Sequence, residues 1–157
     1  MPHRQRIAHM HLEEKHQVRR RPEVEHERAI AMYDLMEENY FAPVGDFTGP
    51  YHVRLRLDDN RLVFTVCSTE DAELVEVVLP LKPFQSIVKD YFLICESYFN
   101  AIKKSNPAQI EAIDMGRRGL HNEGSELLRE RLTGKVDVDF DTARRLFTLI
   151  CVLHIRG

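Results

Sequence analysis

The chain has 157 residues, 43% of them hydrophobic and 30% charged, a globular composition that excludes a disordered chain. Its 22 Lys+Arg against 25 Asp+Glu leave a formal charge of -3, so no global field draws it to nucleic acid or anionic membrane. At roughly 150 residues per domain the length predicts a single domain over 1–157, with 1–22 as a peripheral strand and arm.

Arg6 to Leu12 alternates, with Ala8, Met10 and Leu12 on one side and Ile7, His9 and His11 on the other, as in a half-buried strand. After Pro22, Glu23, Glu25 and Glu27 favour the positive end of a helix. Ala29, Ile30, Tyr33, Met36 and Tyr40 recur at helical steps and predict its core stripe. Ala42 to Pro50, broken by Pro and Gly, reads as a loop. Tyr51, Val53, Leu55 and Leu57 then alternate with His52, Arg54 and Arg56. Asp58-Asp59-Asn60 turns, Leu62 to Cys67 returns, and Leu74 to Leu79 adds a further strand. Phe84 to Ile102 is apolar nearly all round and reads as a central helix. Asn106-Pro107 opens another, which Gly116 or Gly119 is expected to stop. Ser125 then caps a helix carrying Leu127, Leu128 and Leu132, ended by Gly134. Asp139 or Asp141 begins the last, with Ala143, Leu146, Phe147 and Ile150 at helical spacing. The expected class is α+β: a central antiparallel β-meander of three to four strands packed on about five helices, with the C-terminal half helical.

The start of the chain has no apolar secretory segment, and the longest nearly apolar run, Leu146 to Ile155, is far short of the ~20 residues of a membrane span. With Cys67, Cys95 and Cys151 widely spaced, the expectation is a cytoplasmic protein with buried, reduced thiols and no membrane partner.

The densest polar segment is Gly116-Arg117-Arg118-Gly119-Leu120-His121-Asn122-Glu123-Gly124-Ser125. Arg117 and Arg118 supply forked donors for a phosphate or carboxylate, and His121, Asn122, Glu123 and Ser125 add further polar groups. Either the glycines break a helix around a ligand, or they line a continuous helix that packs tightly. Arg144-Arg145 extends the expected recognition surface. No set of nucleophile, base and orienting group is readable, so the leading expectation is a regulatory or protein-interaction module with an unidentified protein partner. The alternative is an enzyme or sensor in which Arg117 and Arg118 clamp an anion while His121 and Glu123 transfer protons. RNA binding through the arginine pairs ranks third, because acidic residues accompany each pair. His9-x-His11, with Glu13 and His16, is an incomplete ligand set, so no metal and no cofactor is expected. Self-association through an apolar helix stays open.

Glu25 to Ala29, Phe41-Ala42-Pro43-Val44-Gly45, Lys89-Asp90-Tyr91-Phe92, Ile113 to Leu128 and Asp139 to Phe147 resemble a small family of alphaproteobacterial proteins whose function is unassigned. The resemblance covers about Glu25 to Gly157, while the His-rich first twenty residues depart from it. It implies a bacterial cytoplasmic protein and carries over no activity and no catalytic residue.

Overall fold

The computed structural model describes residues 4–14 and 22–154. In chain order the elements are β1 (Ile7–Glu13), α1 (Pro22–Glu37), β2 (Phe41–Pro43), β3 (Tyr51–Asp58), β4 (Arg61–Cys67), β5 (Glu73–Pro80), α2 (Lys82–Lys104), α3 (Pro107–Leu132), β6 (Val136–Val138) and α4 (Phe140–His154). Strands β1-β3-β4-β5 form one sheet, and β2 and β6 pair as a separate antiparallel ribbon.

The alternating segments behave as their pattern dictates. Antiparallel β3 and β4 close through Asp59 and Asn60, with Asp59 at φ 55°, a left-handed position that Asp tolerates. Val63 and Thr65 are buried on the outward side of β4, where Arg56, the β3 partner of Val63, lays its side chain and its Nη1 donates to Thr65 Oγ1 at 2.9 Å.

The sheet is not strictly a meander. β1 pairs in parallel with β3, and α1 with β2 forms the crossover that a parallel pair requires. A register shift between Ile7 and His9 brings Ile7 into the core along with Met10 and Leu12, breaking the alternation expected there. Asn39 fixes this junction: its Oδ1 accepts from Ile7 N at 2.7 Å, and its Nδ2 donates to the Ile7 and Leu35 carbonyls at 3.0 and 2.7 Å.

Among the described residues there are four helices rather than about five. α3 runs unbroken through Gly116, Gly119 and Gly124, so Ser125 caps nothing. Two of these glycines permit close approach. A Cβ at Gly116 would meet Ile94 Cδ1 of α2 at 2.7 Å, and one at Gly124 would enter the Phe147 ring of α4. Packing of α2 and α4 against α3 outweighs the ~1 kcal/mol that each glycine costs a helix.

α1 and α2 differ from their expected faces. Ala31 and Leu35 are the buried residues of α1, while Ile30 and Tyr33 are 46% and 66% exposed. On α2, Leu93 and Ile102 are 55% and 52% exposed, so the helix is one-sided. The helix buried over most of its surface is α4, with Ala143, Leu146, Phe147, Leu149, Ile150, Cys151 and Val152 all in the core. Asp139 caps it, Oδ1 accepting from Thr142 N at 2.9 Å. Thr142 Oγ1 accepts from Tyr40 N at 2.9 Å, and Arg145 Nη1 donates to the Glu38 carbonyl at 3.2 Å, which joins the end of α1 to the start of α4. Among the described residues no helix is long and apolar enough to cross a membrane.

A candidate anion-binding cleft

Four helices bring polar residues to one cleft of about 380 Å³. α3 supplies Arg117, Arg118 and His121, and α4 supplies Asp141, Arg144, Arg145 and Thr148. α1 adds Glu27, Ile30, Ala31 and Asp34, while Tyr91 comes from α2. Steps of three and four residues put each set on one side of its helix.

Asp114, one turn before Arg117, organises the α3 arginines. Its Oδ1 accepts from Arg117 Nη2 and Nε at 2.7 and 3.1 Å, and its Oδ2 lies 3.2 Å from Arg118 Nε. The hydrogen bonds from Arg117 hold its carboxyl below the ordinary range. Arg117 also lies 4.7 Å above the Tyr98 ring centroid and 3.7 Å from Glu27. Burial pushes the Glu27 carboxyl up, opposed by the charges of Arg117 and His26.

His121 stands against aromatic rings, its centroid 5.4 Å from that of Tyr91 and 5.3 Å from that of Phe147. Its Nε2 is 2.7 Å from Thr148 Oγ1, which itself donates to the Arg144 carbonyl at 3.3 Å. Among the described residues His121 Nδ1 and Arg144 Nε, both buried, have no hydrogen-bond partner. Burial, then the charges of Arg144 and Arg117, lower the imidazole from the ordinary 6.5 to about 4, so it is neutral at pH 7.

The unfolded chain therefore takes up a proton on His121 between pH 6.5 and 4 that the folded protein does not, and stability falls as the pH drops through that window. At 1.36 kcal/mol per unit the effect is at most about 3 kcal/mol. Urea titrations at pH 7 and pH 4 are expected to show a smaller loss for His121→Phe than for the wild type. Glu27, raised instead of lowered, works in the opposite direction in both proteins.

The other sequence candidates lie elsewhere. Asn122 and Glu123 are exposed and outside the cleft lining, so Glu123 does not form a proton-transfer pair there with His121. Ser125 is fully buried and donates to the His121 carbonyl at 2.7 Å. Glu27, Asp34, Tyr91, Asp141 and Thr148 line the cleft without having been singled out in the sequence. The one available signal was the spacing of Glu27, Ala31 and Asp34 along a single helix side. Tyr91 and Cys151 are raised by burial, and Cys95 is pushed up to about 11, so none supplies an anionic nucleophile near neutrality. Cys67, Cys95 and Cys151 are free and buried.

At the sheet, His9 and His52 have ring centroids 5.5 Å apart, and His52 Nδ1 lies 3.0 Å from Asp71 Oδ1. Among the described residues no group of three His, Cys, Asp or Glu side chains is arranged to hold a metal ion, and His16 lies outside those residues.

Residues 4–156 match the Uncharacterised protein family (UPF0262). The chain belongs to that family. A UPF0262 protein of Paramagnetospirillum magneticum is 75% identical over 157 residues, all of both chains. One from Rhodospirillum rubrum is 64% identical over 151 residues, 96% of this chain and 93% of its own. One from Rhizobium leguminosarum bv. trifolii is 60% identical over 136 residues, 87% of each. No solved structure matches significantly. The UPF0262 match reaches residue 4, so it includes β1, which precedes the Glu25 start of the sequence resemblance.

Proposed function

We propose that the cleft between α1, α3 and α4 binds a small anionic molecule, making this UPF0262 protein a cytoplasmic sensor or regulatory module. The observation that carries this reading is the convergence of Arg117, Arg118, Arg144 and Arg145 from two helices on one concavity, with Arg144 Nε buried and unpartnered. Arginine forks suit carboxylate or phosphate, and a cleft of about 380 Å³ is within the ~300–1,000 Å³ of small-molecule sites. The raised Tyr91, Cys95 and Cys151, and the place of Glu123 outside the cleft lining, favour binding over catalysis. The three free, buried cysteines suit a reducing cytoplasm.

Titration calorimetry of the wild type and Arg144→Met with inorganic phosphate and with succinate tests it. Saturable binding by the wild type, weakened in the variant, is expected. No heat with either anion, or equal affinity in both proteins, contradicts it.

A second reading, docking of a protein partner over the same residues, draws on Ile30 at the cleft and Tyr33 one turn along α1, both exposed. Loss of a cellular interaction in Ile30→Ser/Tyr33→Ser with anion binding intact would favour it. RNA binding has less support, since Glu27, Asp34 and Asp141 interrupt the positive surface.

A further inference from the structure

We infer that the anion taken by this cleft carries a hydroxyl group beside its carboxylate or phosphate, and that this hydroxyl donates to His121 Nδ1 while accepting from Arg144 Nε. The inference rests on the anion-binding reading and specifies its ligand.

It starts from the proton on Thr148. A threonine hydroxyl has one hydrogen and two lone pairs, whereas a carbonyl oxygen only accepts. With that hydrogen assigned to the Arg144 carbonyl, 3.3 Å from Thr148 Oγ1, the imidazole is the donor in the 2.7 Å contact between Oγ1 and His121 Nε2. The neutral ring thus carries its proton on Nε2 and leaves Nδ1 as a bare acceptor.

Two residues of the same lining carry complementary groups, an acceptor at His121 Nδ1 and a donor at Arg144 Nε–H, both buried and without a hydrogen-bond partner among the described residues. Unmade hydrogen bonds of this kind are uncommon in folded proteins, and a ligand that enters here meets both groups only if it offers a donor and an acceptor, as water does. A carboxylate or a fully ionised phosphate satisfies only the arginine, because it has acceptors alone and sets a lone pair against Nδ1. A hydroxyl satisfies both, donating to the imidazole and accepting from the guanidinium. Arg144 is the long, rotatable member of the pair, so a rotamer change there admits the hydroxyl as its charge turns to the neighbouring anionic group. Ile30 and Ala31 leave an apolar wall for a short carbon skeleton.

The test uses the full chain at pH 7 and two matched pairs, malate against succinate and glycerol 3-phosphate against propyl phosphate, followed by calorimetry. In at least one pair the hydroxylated member is expected to bind about tenfold tighter or more. The pair that responds distinguishes a carboxylate ligand from a phosphate one. The preference is expected to disappear in His121→Phe, which keeps a ring against Tyr91 and Phe147, and in Thr148→Val, which releases the tautomer. Equal affinities within both pairs overturn the hydroxyl assignment and leave anion binding standing. No binding of any of the four, nor of inorganic phosphate, overturns both. Nitrogen-15 NMR of the His121 ring in the ligand-free wild type gives a readout independent of variant folding. A proton on Nε2 is expected, and a proton on Nδ1 contradicts the inference.

Discussion

Replacing Phe147 by alanine is expected to lower the unfolding free energy by about 3–5 kcal/mol, the usual range for emptying a buried aromatic site. Phe147 is fully buried in α4, its centroid 6.1 Å from that of Tyr91 and 5.3 Å from that of His121, and its ring occupies the space that Gly124 leaves open on α3. Neighbouring side chains cannot fill the gap cheaply, because the glycine has nothing to extend into it. Part of the relaxation available is a shift of the His121 ring, which would break the bond to Thr148 and disorder one wall of the cleft. Urea denaturation measures the loss, with an unchanged slope confirming that the folded state keeps its compactness. A loss below about 1 kcal/mol would show that α3 and α4 do not pack through this contact.

Arg144→Met is expected to separate function from stability. An arginine hydrogen bond to an anion contributes about 1.5–3 kcal/mol, so removing it is expected to weaken anion binding roughly 10- to 100-fold. Stability is expected to change by less than about 1 kcal/mol. The Arg144 Nε donor has no partner among the described residues, and methionine replaces the stem without burying an unmet donor. Calorimetric affinity and urea stability measured on the same variant check both parts. A large loss of stability with unchanged affinity would recast Arg144 as a structural residue. By contrast, Arg117 is held by Asp114, Glu27 and the Tyr98 ring, so its removal perturbs the fold as well as the cleft.

The sheet was legible where one face meets the core and the other meets solvent, because Tyr51 to Leu57 alternates with His52, Arg54 and Arg56 at the strand period. The parallel pairing of β1 was not, since alternation specifies a face and not a partner. α1 misled for a physical reason. Its inward side is shared between the core, at Ala31 and Leu35, and a polar cleft, at Glu27 and Asp34. Apolar spacing therefore pointed to Ile30 and Tyr33, which are exposed. α2, read as apolar nearly all round, packs on one side, while α4 lies among the other elements.

In the site, local composition marked Arg117, Arg118 and His121, and the second arginine pair marked Arg144 and Arg145. That Asn122, Glu123 and Ser125 leave the cleft follows from helix geometry, which became readable only once α3 was known to continue through its glycines. Thr148 and Tyr91 enter by tertiary packing, which no local pattern encodes.

The most direct measurement of anion binding at this cleft is an NMR titration of the wild type with inorganic phosphate, followed at the arginine Nε–H and histidine ring resonances. Arg144 and His121 are expected to shift together and saturate with one affinity, while Arg129, whose Nε donates to the Val138 carbonyl at 3.0 Å away from the cleft lining, stays fixed. Shifts that rise linearly and spread over exposed arginines such as Arg54 and Arg131, with Arg144 unmoved, would contradict it.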